Sequence, residues 1–468
     1  MSGRTGKPNI VFLFADQLRA TSLPLYGEKQ IETPNIDRLA AEGVTFTNAL
    51  STNPLCTPYR AMLLTGRHNQ TTGHVTNFIT TRHDEIGIGD AFARAGYRTA
   101  WIGKWHLHVG SYPSHRGSDY VPEGRDRLGF QHWRGYNFHA DYFGGSVNLD
   151  DWKCEKWEGY ETDALNRYAF EFLDGLRADE RFCLFVSPHQ PHITYGKYVP
   201  DEYLGRVSEK LALPGNMCEE TNLEWVQTSY SRYLAMTLAL DDMVGEMLDH
   251  LEQRGLLEDT VFVFTSDHGS QMGAHHPDPW MKCLPYEESI LVPMVARWPR
   301  GLAAGRRCDA LVAPVDVFPS LCGLCGIPVP RSIEGCDLSD AWRGVDGAFE
   351  QEAVLTMNFL ESAEHALGEW RGVRTKKHSY VRWLDGRTVL YDLEDDPLEK
   401  NDLTGDPEAR ETCRRLESRL QELLARRHDE FLAWNEYQGW LDNQRRVVRN
   451  AYGRMRHPES EPDWSLLA

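Results

Sequence analysis

The sequence lacks an apolar secretory segment at its start, where Met1 to Pro8 is short and polar. It also lacks any apolar run of the roughly 20 residues that a membrane helix needs. A cytoplasmic chain with no membrane partner is therefore expected, secretion requiring a leader ahead of Met1. Basic residues are in deficit: 50 lysines and arginines against 69 aspartates and glutamates leave a formal charge of -19. That excludes non-specific nucleic-acid binding over the whole surface, but not a local cationic pocket for a small anion. Cysteine is sparse, 10 among 468 residues, too few for a disulfide scaffold. Cys322 and Cys325 form a C-x-x-C pair, yet the apolar spacing around them, closed by Gly326 and Pro328, reads as a core helix rather than a redox or metal site.

What is present is a chain rich enough in apolar residues, 41%, to build large cores, which argues against disorder. Its length suggests a large α/β domain plus a smaller one, and the shift to short strands from Ala353 onward sets their bounds at 1–352 and 353–468. Asn9 to Phe14 (N-I-V-F-L-F) is a continuous apolar run, suited to a central strand covered on both faces. It ends at Ala15-Asp16-Gln17, and a second run, Thr260 to Ser266, ends the same way at Asp267-His268-Gly269. A carboxylate beyond such a strand stands at the sheet edge where α/β enzymes bind ligands. Each alone could be a mere turn residue; two together, one with an imidazole, point to a divalent cation.

Between these runs lies Asn53 to Gly66 (N-P-L-C-T-P-Y-R-A-M-L-L-T-G). Pro58 and the helix formers Ala61 to Leu64 predict a helix beginning just after Cys56, which sets the cysteine where unpaired N–H groups favour anions. Arg60 adds a permanent charge one turn on. The bland alternative is a buried cysteine beside a helix start.

Cys56-Thr57-Pro58-Tyr59-Arg60 resembles the C-x-P-x-R motif of the type I sulfatases, whose cysteine is oxidised to formylglycine. The resemblance continues in order through G-K-W-H (Gly103 to His106), P-H-Q-P-H (Pro188 to His192), S-D-H-G (Ser266 to Gly269) and Y-D-L-E-D-D-P (Tyr391 to Pro397). It implies an alkaline-phosphatase-like fold, a large mixed sheet sandwiched by helices with a small C-terminal antiparallel sheet. By the same resemblance Asp16, Asp267, His268 and oxidised Cys56 hold one divalent cation, with Gln17 either a further ligand or a support behind the ligands. Calcium is favoured, and the imidazole makes manganese the alternative. Arg60, Lys104 and Lys282 would bind sulfate oxygens, His192 would protonate the leaving alcohol, and His106 would release sulfate by taking a proton. His189 is read as a turn support. His108, His132, His139 and His275 are further candidates for substrate contact.

The implied activity is hydrolysis of a sulfated carbohydrate or arylsulfate, with a formylglycine-generating maturation enzyme as partner. The commonest sulfatase pattern has two aspartates after the first strand and Asp-Asn after the later one. Asp16-Gln17 and Asp267-His268 depart from it and resemble the phosphonate monoester hydrolase branch, so phosphonate monoester or phosphodiester hydrolysis stands as the alternative. A non-catalytic anion binder with unmodified Cys56 is the contrasting class.

Elsewhere, Thr99 to Ile102 reads as a strand with Lys104 on the following turn, and Leu223 to Leu251 as a long, interrupted helix. The aromatic interval Ser111 to Tyr160 is expected to form mainly a satellite core. Short polar strands from Ala353 onward predict a half-exposed antiparallel sheet, followed by a helix from Arg410 to Phe431. The tail from Ala433, with Trp434, Tyr437 and Trp440, either covers the core or joins a second copy in a homo-oligomer.

Overall fold

Every residue of β1 (Asn9–Ala15) is buried, because both faces of the strand are covered. Val11, Leu13 and Ala15 enter one core while Ile10, Phe12 and Phe14 enter another, the two-residue alternation of a strand. Each fully buried large side chain there contributes about 2 kcal/mol of apolar transfer. The protein is described from a computed structural model over residues 7–110, 120–150, 152–194, 196–359 and 368–467. Residues 111–119 and 151 of the aromatic interval lie outside the described residues.

The remaining strands of the large sheet are β2 (Val44–Phe46), β3 (Tyr97–Lys104), β4 (His132–Tyr136), β5 (Ser146–Asn148), β6 (Cys154–Lys156), β7 (Arg181–Ser187), β8 (Thr260–Ser266), β9 (Met294–Arg297) and β10 (Arg306–Cys308). They run in the order β10-β2-β9-β8-β1-β7-β3-β4-β5-β6. The central strands β8, β1, β7, β3 and β4 are mutually parallel, and β9, β5 and β6 are joined antiparallel. Helices Pro34–Ala41, Glu161–Asp174 and Leu223–Gln253 cover one face; Cys56–Thr65, Ile88–Arg94 and Pro314–Cys325 cover the other. The long helix runs 31 residues without the expected interruption, since an apolar stripe from Val226 to Leu251 faces the sheet throughout.

β3 extends past its expected end, so Lys104 is its last residue rather than part of a turn. Gly103 allows this: its φ is +95°, and an added Cβ would lie 2.3 Å from the Ser187 carbonyl oxygen on β7. Of the interval aromatics, Trp133, Tyr136, Tyr142, Trp157 and Tyr160 are buried in core clusters, whereas Trp152 is 76% exposed. Cys322 and Cys325 are free thiols inside the core.

The C-terminal sheet has four antiparallel strands, β11 (Val354–Asn358), β12 (Trp370–Arg374), β13 (His378–Trp383) and β14 (Thr388–Asp392). Helix Arg410–Arg426 packs on it. The tail folds back on the chain: Tyr437 and Trp440 share a core with Val75 and Ile79, and Arg445 donates to the carbonyls of Asn77 and Phe78. No described helix is long and apolar enough to cross a membrane.

Candidate active site

The parallel strands deliver their C-terminal ends to one edge. Register pairs Ala15 with Ser266, which sets Asp16 beside Asp267, and pairs Gly103 with Ser187, which sets Lys104 beside the chain leaving β7. Helix Cys56–Thr65 reaches the same edge from one face. It begins at Cys56 itself, one residue earlier than the proline pattern implies, because Leu55 already has the extended backbone of a cap and the Thr57 amide is satisfied by Asn77 Oδ1 at 3.0 Å.

Arg60 is wholly buried and ties the edge together. Its Nη2 lies 3.0 Å from Asp16 Oδ2 and 3.1 Å from Asp267 Oδ2, and its Nη1 donates to the Lys104 carbonyl and to Ser187 Oγ. Lys104 Nζ contacts Asp16 Oδ2 at 2.5 Å. Burial alone would raise the Asp16 carboxyl, but the Lys104 ammonium and the Arg60 guanidinium hold it well below the usual carboxylate range.

Cys56 Sγ stands among these groups, 3.2 Å from His268 Nε2, 3.5 Å from Lys282 Nζ, and 3.8 Å from both Lys104 Nζ and Asp16 Oδ1. Burial and Asp16 oppose its ionisation; Lys104, Lys282 and His268 outweigh them and lower the thiol pKa. Ligand atoms of Asp16, Cys56, Asp267 and His268 all lie within 4.8 Å of one another. His268 Nδ1 must donate to the Gly269 carbonyl at 3.0 Å, which leaves Nε2 facing the cluster; burial opposes a charge on the ring, but Asp267 and Cys56 raise its pKa, so Nε2 there holds a proton that a cation would replace. Gln17 is oriented likewise. Its amide nitrogen donates to the Trp280 carbonyl at 2.7 Å and to Ser270 Oγ, which turns Oε1 toward Lys282 Nζ at 3.3 Å. Gln17 holds a φ of 69°, stabilised by its amide bond to Asp267 Oδ1 at 3.0 Å.

Two lysine–histidine pairs flank the sulfur. Lys104 Nζ lies 2.9 Å from His189 Nε2, and Lys282 Nζ 3.0 Å from His192 Nε2, with the two imidazoles stacked 4.7 Å apart. An ammonium can only donate, so both Nε2 atoms accept. Burial first, then the neighbouring lysine, holds both histidines well below their ordinary pKa. His189 supports the turn as expected, its carbonyl accepting from the His192 amide at 3.1 Å, and its ring in addition meets Lys104; the signal for that second contact was the first histidine of Pro188 to His192, at the end of β7. His106 is also buried and held neutral, mainly by burial and then by Lys104 and Arg60. Its ring nitrogens have no hydrogen-bond partner, and its ring packs on Phe138, which also lies under Lys104. Nothing in the sequence marked Phe138 apart from its aromatic neighbours.

The four further histidines are not brought to Cys56. His132 opens β4, opposite Ala100, four residues before the edge position of Tyr136, or about 13 Å down the strand. It packs on Phe172, and burial lowers its pKa to about 4. His139 is pinned beneath the loops, bonded to the Ser146 carbonyl at 3.0 Å and stacked on Tyr136. His108 lies 3.8 Å from Asp126 Oδ1 and lines a 690 Å³ cavity with Thr80 and Arg446, away from the groups around the sulfur. His275 stacks on Tyr286 and contacts the Leu398 carbonyl at the C-terminal subdomain.

Residues 8–327 match the Sulfatase family, and residues 278–426 match the family described as N-sulphoglucosamine sulphohydrolase, C-terminal. The chain is 35% identical to an ulvan-active sulfatase of Formosa agariphila over 92% of its own length and 84% of that protein's. A solved structure of a protein in complex with its substrate D-glucosamine-2-N,6-O-disulfate superposes with a TM-score of 0.79 at 25% identity, covering 91% of this chain and 99% of that one. The phosphonate monoester hydrolase of Agrobacterium radiobacter shares the fold, with a TM-score of 0.73 at 20% identity over 90% of this chain and 96% of its own. The chain belongs to the sulfatase family, has its alkaline-phosphatase-like fold, and is a hydrolase.

Proposed function

We propose that the sulfuric ester hydrolysed by this sulfatase is carried on a carbohydrate or an aryl group, and that formylglycine made from Cys56 is its nucleophile. The carrying observation is the convergence of cations on one sulfur atom: Lys282 Nζ at 3.5 Å and Lys104 Nζ at 3.8 Å from Cys56 Sγ. Such a pocket holds the oxygens of a tetrahedral anion inside a protein of net negative charge. The relative active on ulvan and the protein bound to a disulfated glucosamine support a sugar carrier. A formylglycine-generating enzyme is the required partner.

Asp16, Gln17, Asp267, His268 and the modified Cys56 side chain would hold one cation, calcium by the hard oxygens or manganese by the imidazole. Bound there, the cation would activate one hydroxyl of the hydrated aldehyde as the nucleophile for sulfur, and the other hydroxyl of the same diol would be the one whose deprotonation expels sulfate and restores the aldehyde. Lys104 and Lys282 bind the sulfate oxygens, and Arg60 neutralises the two aspartates beneath them. The proton for the leaving alcohol rests on Lys282 Nζ and not on His192, whose Nδ1 proton is engaged by the Ile193 carbonyl at 2.8 Å. It reaches the leaving oxygen from Lys282 directly or through His192 Nε2. Neutral His106, both nitrogens unengaged, takes the proton from the remaining hydroxyl.

The test is twofold. Peptide mass measurement on protein co-produced with the maturation enzyme is expected to show residue 56 as formylglycine; an unchanged cysteine in active protein sinks the nucleophile. Turnover of a sulfate ester is expected to exceed that of the matching phosphonate monoester. The opposite order would establish the second reading, phosphonate or phosphodiester hydrolysis, which is favoured by the neutral donors Gln17 and His268 in the cation cluster.

A further inference from the structure

A second cluster lies where the Lys282 loop meets the C-terminal subdomain. Ligand atoms of His275, Glu288 and Glu399 all lie within 4.8 Å of one another. Opposite ligands around a hard cation at about 2.4 Å from each would be separated by about that distance.

Each carboxylate is anchored by one oxygen and leaves the other open. Glu288 Oε1 accepts from Asn216 Nδ2 at 2.7 Å, and Glu399 Oε2 accepts from the Glu287 amide at 2.7 Å. Glu288 Oε2 and Glu399 Oε1 have no hydrogen-bond partner, although the two residues are only 8% and 2% exposed. Among the described residues no lysine or arginine lies within ion-pair distance of either; the nearest guanidinium to Glu399's backbone partner, Arg374, is occupied by both oxygens of Glu287. His275 Nε2 is 4.0 Å from Glu288 Oε2 and donates to the Leu398 carbonyl at 3.1 Å, while Asn216 Nδ2 lies 3.1 Å from both that nitrogen and that carbonyl. Two buried carboxylate oxygens without donors face one another, and burial together with Glu287 and Glu288 raises the Glu399 carboxyl well above the usual range, so either a proton or a cation must meet the pair.

We propose that His275, Glu288 and Glu399 bind a second divalent cation, separate from the one at Cys56. The donor chemistry, two carboxylates with an imidazole that would ligate once its proton sits on Nδ1, takes calcium or manganese. Its position gives it a purpose: it joins the segment between His268 and Lys282 to the stretch following β14, and so holds the loop that presents Lys282 to the sulfur. His275 is partly exposed, which leaves an entry path.

Metal content measured by mass spectrometry, after saturation with calcium or manganese and removal of free ion, decides the matter. Wild type is expected to carry two equivalents per chain, Asp267→Asn one, and Glu399→Gln one. A wild-type equivalent lost in Asp267→Asn but unchanged in Glu399→Gln overturns the proposal and means the two glutamates share a proton instead. A single equivalent lost in Glu399→Gln and kept in Asp267→Asn supports it while removing the cation at Cys56. Should Glu399→Gln not fold, terbium titration of folded Asp267→Asn decides, read by emission sensitised through Tyr286, whose ring lies 3.9 Å from that of His275. Saturable emission is expected; its absence overturns the site.

Discussion

Arg60 carries the electrostatics of the site in one side chain. Two carboxylates brought side by side repel each other, and the planar fork of Arg60 meets both at 3.0 and 3.1 Å while its Nη1 reaches Ser187 and the Lys104 carbonyl. A lysine keeps the charge but cannot make those bonds together. Arg60→Lys is therefore expected to lose about 3 kcal/mol of stability, since all three groups are wholly buried, and at least about 100-fold in kcat/KM. Urea unfolding and steady-state kinetics check it; a variant within 1 kcal/mol of wild type would show that the fork is dispensable. The same scale holds the main differences from the sequence reading. His189 and His192 are chemically alike in the sequence, and their pairing with separate lysines depends on where each lysine arrives from. Gln17 could be a ligand or a support on sequence grounds, and the orientation of its amide by the Trp280 carbonyl is a contact across 263 positions.

At the scale of elements, the site depends on strand ends meeting level. β3 and β7 approach closely at Gly103, where a methyl group would stand 2.3 Å from a backbone oxygen that cannot move without shifting the sheet. Gly103→Ala combines that overlap with a left-handed φ, and a loss of about 3 kcal/mol is expected. Because Lys104 is the next residue, kcat should fall more steeply than stability alone explains. Thermal melts and kinetics on the folded fraction separate the two effects, and unchanged kcat in folded variant would contradict the argument. Strand periodicity announced β1, β7 and β8, since both faces of each are buried and their runs are uninterrupted. The boundary of β3 was less legible, because a glycine in a strand pattern reads as a stop when the carbonyl it accommodates belongs to a distant strand.

Across the whole molecule, the C-terminal sheet is built into the site's support. Val354, Trp370, Val381 and Trp383 share a core with Leu50, Met62 and Leu311, and Trp370 Nε1 donates to the Cys283 carbonyl beside Lys282. Arg374 forms a two-bond pair with Glu287 at 3.0 Å, with side-chain exposures of 5% and 11%. Glu287→Gln leaves that arginine buried without its counter-charge, an expected cost of about 3 kcal/mol. Shared cores also predict one unfolding transition followed alike by aromatic fluorescence and far-UV circular dichroism. Two separated transitions would mean that residues 1–352 and 353–468 unfold independently.

The sequence by itself determined the family, the ordered motifs, the apolar strands and the cysteine proposed as the nucleophile's precursor, because these depend on residue type and on local spacing. It could not decide which of eighteen histidines meet the sulfur. His132 belongs to a strand beside the site yet lies about 13 Å down it, a consequence of register. His275 has metal-ligand chemistry but faces Glu288 and Glu399, the latter more than 120 positions away in the chain. The proton state of His192 was likewise decided by the tertiary structure, because burial and a lysine 90 positions distant set it together. Local chemistry is written in the chain, whereas distances, solvent exclusion and the sharing of protons arise only when remote segments are packed against one another.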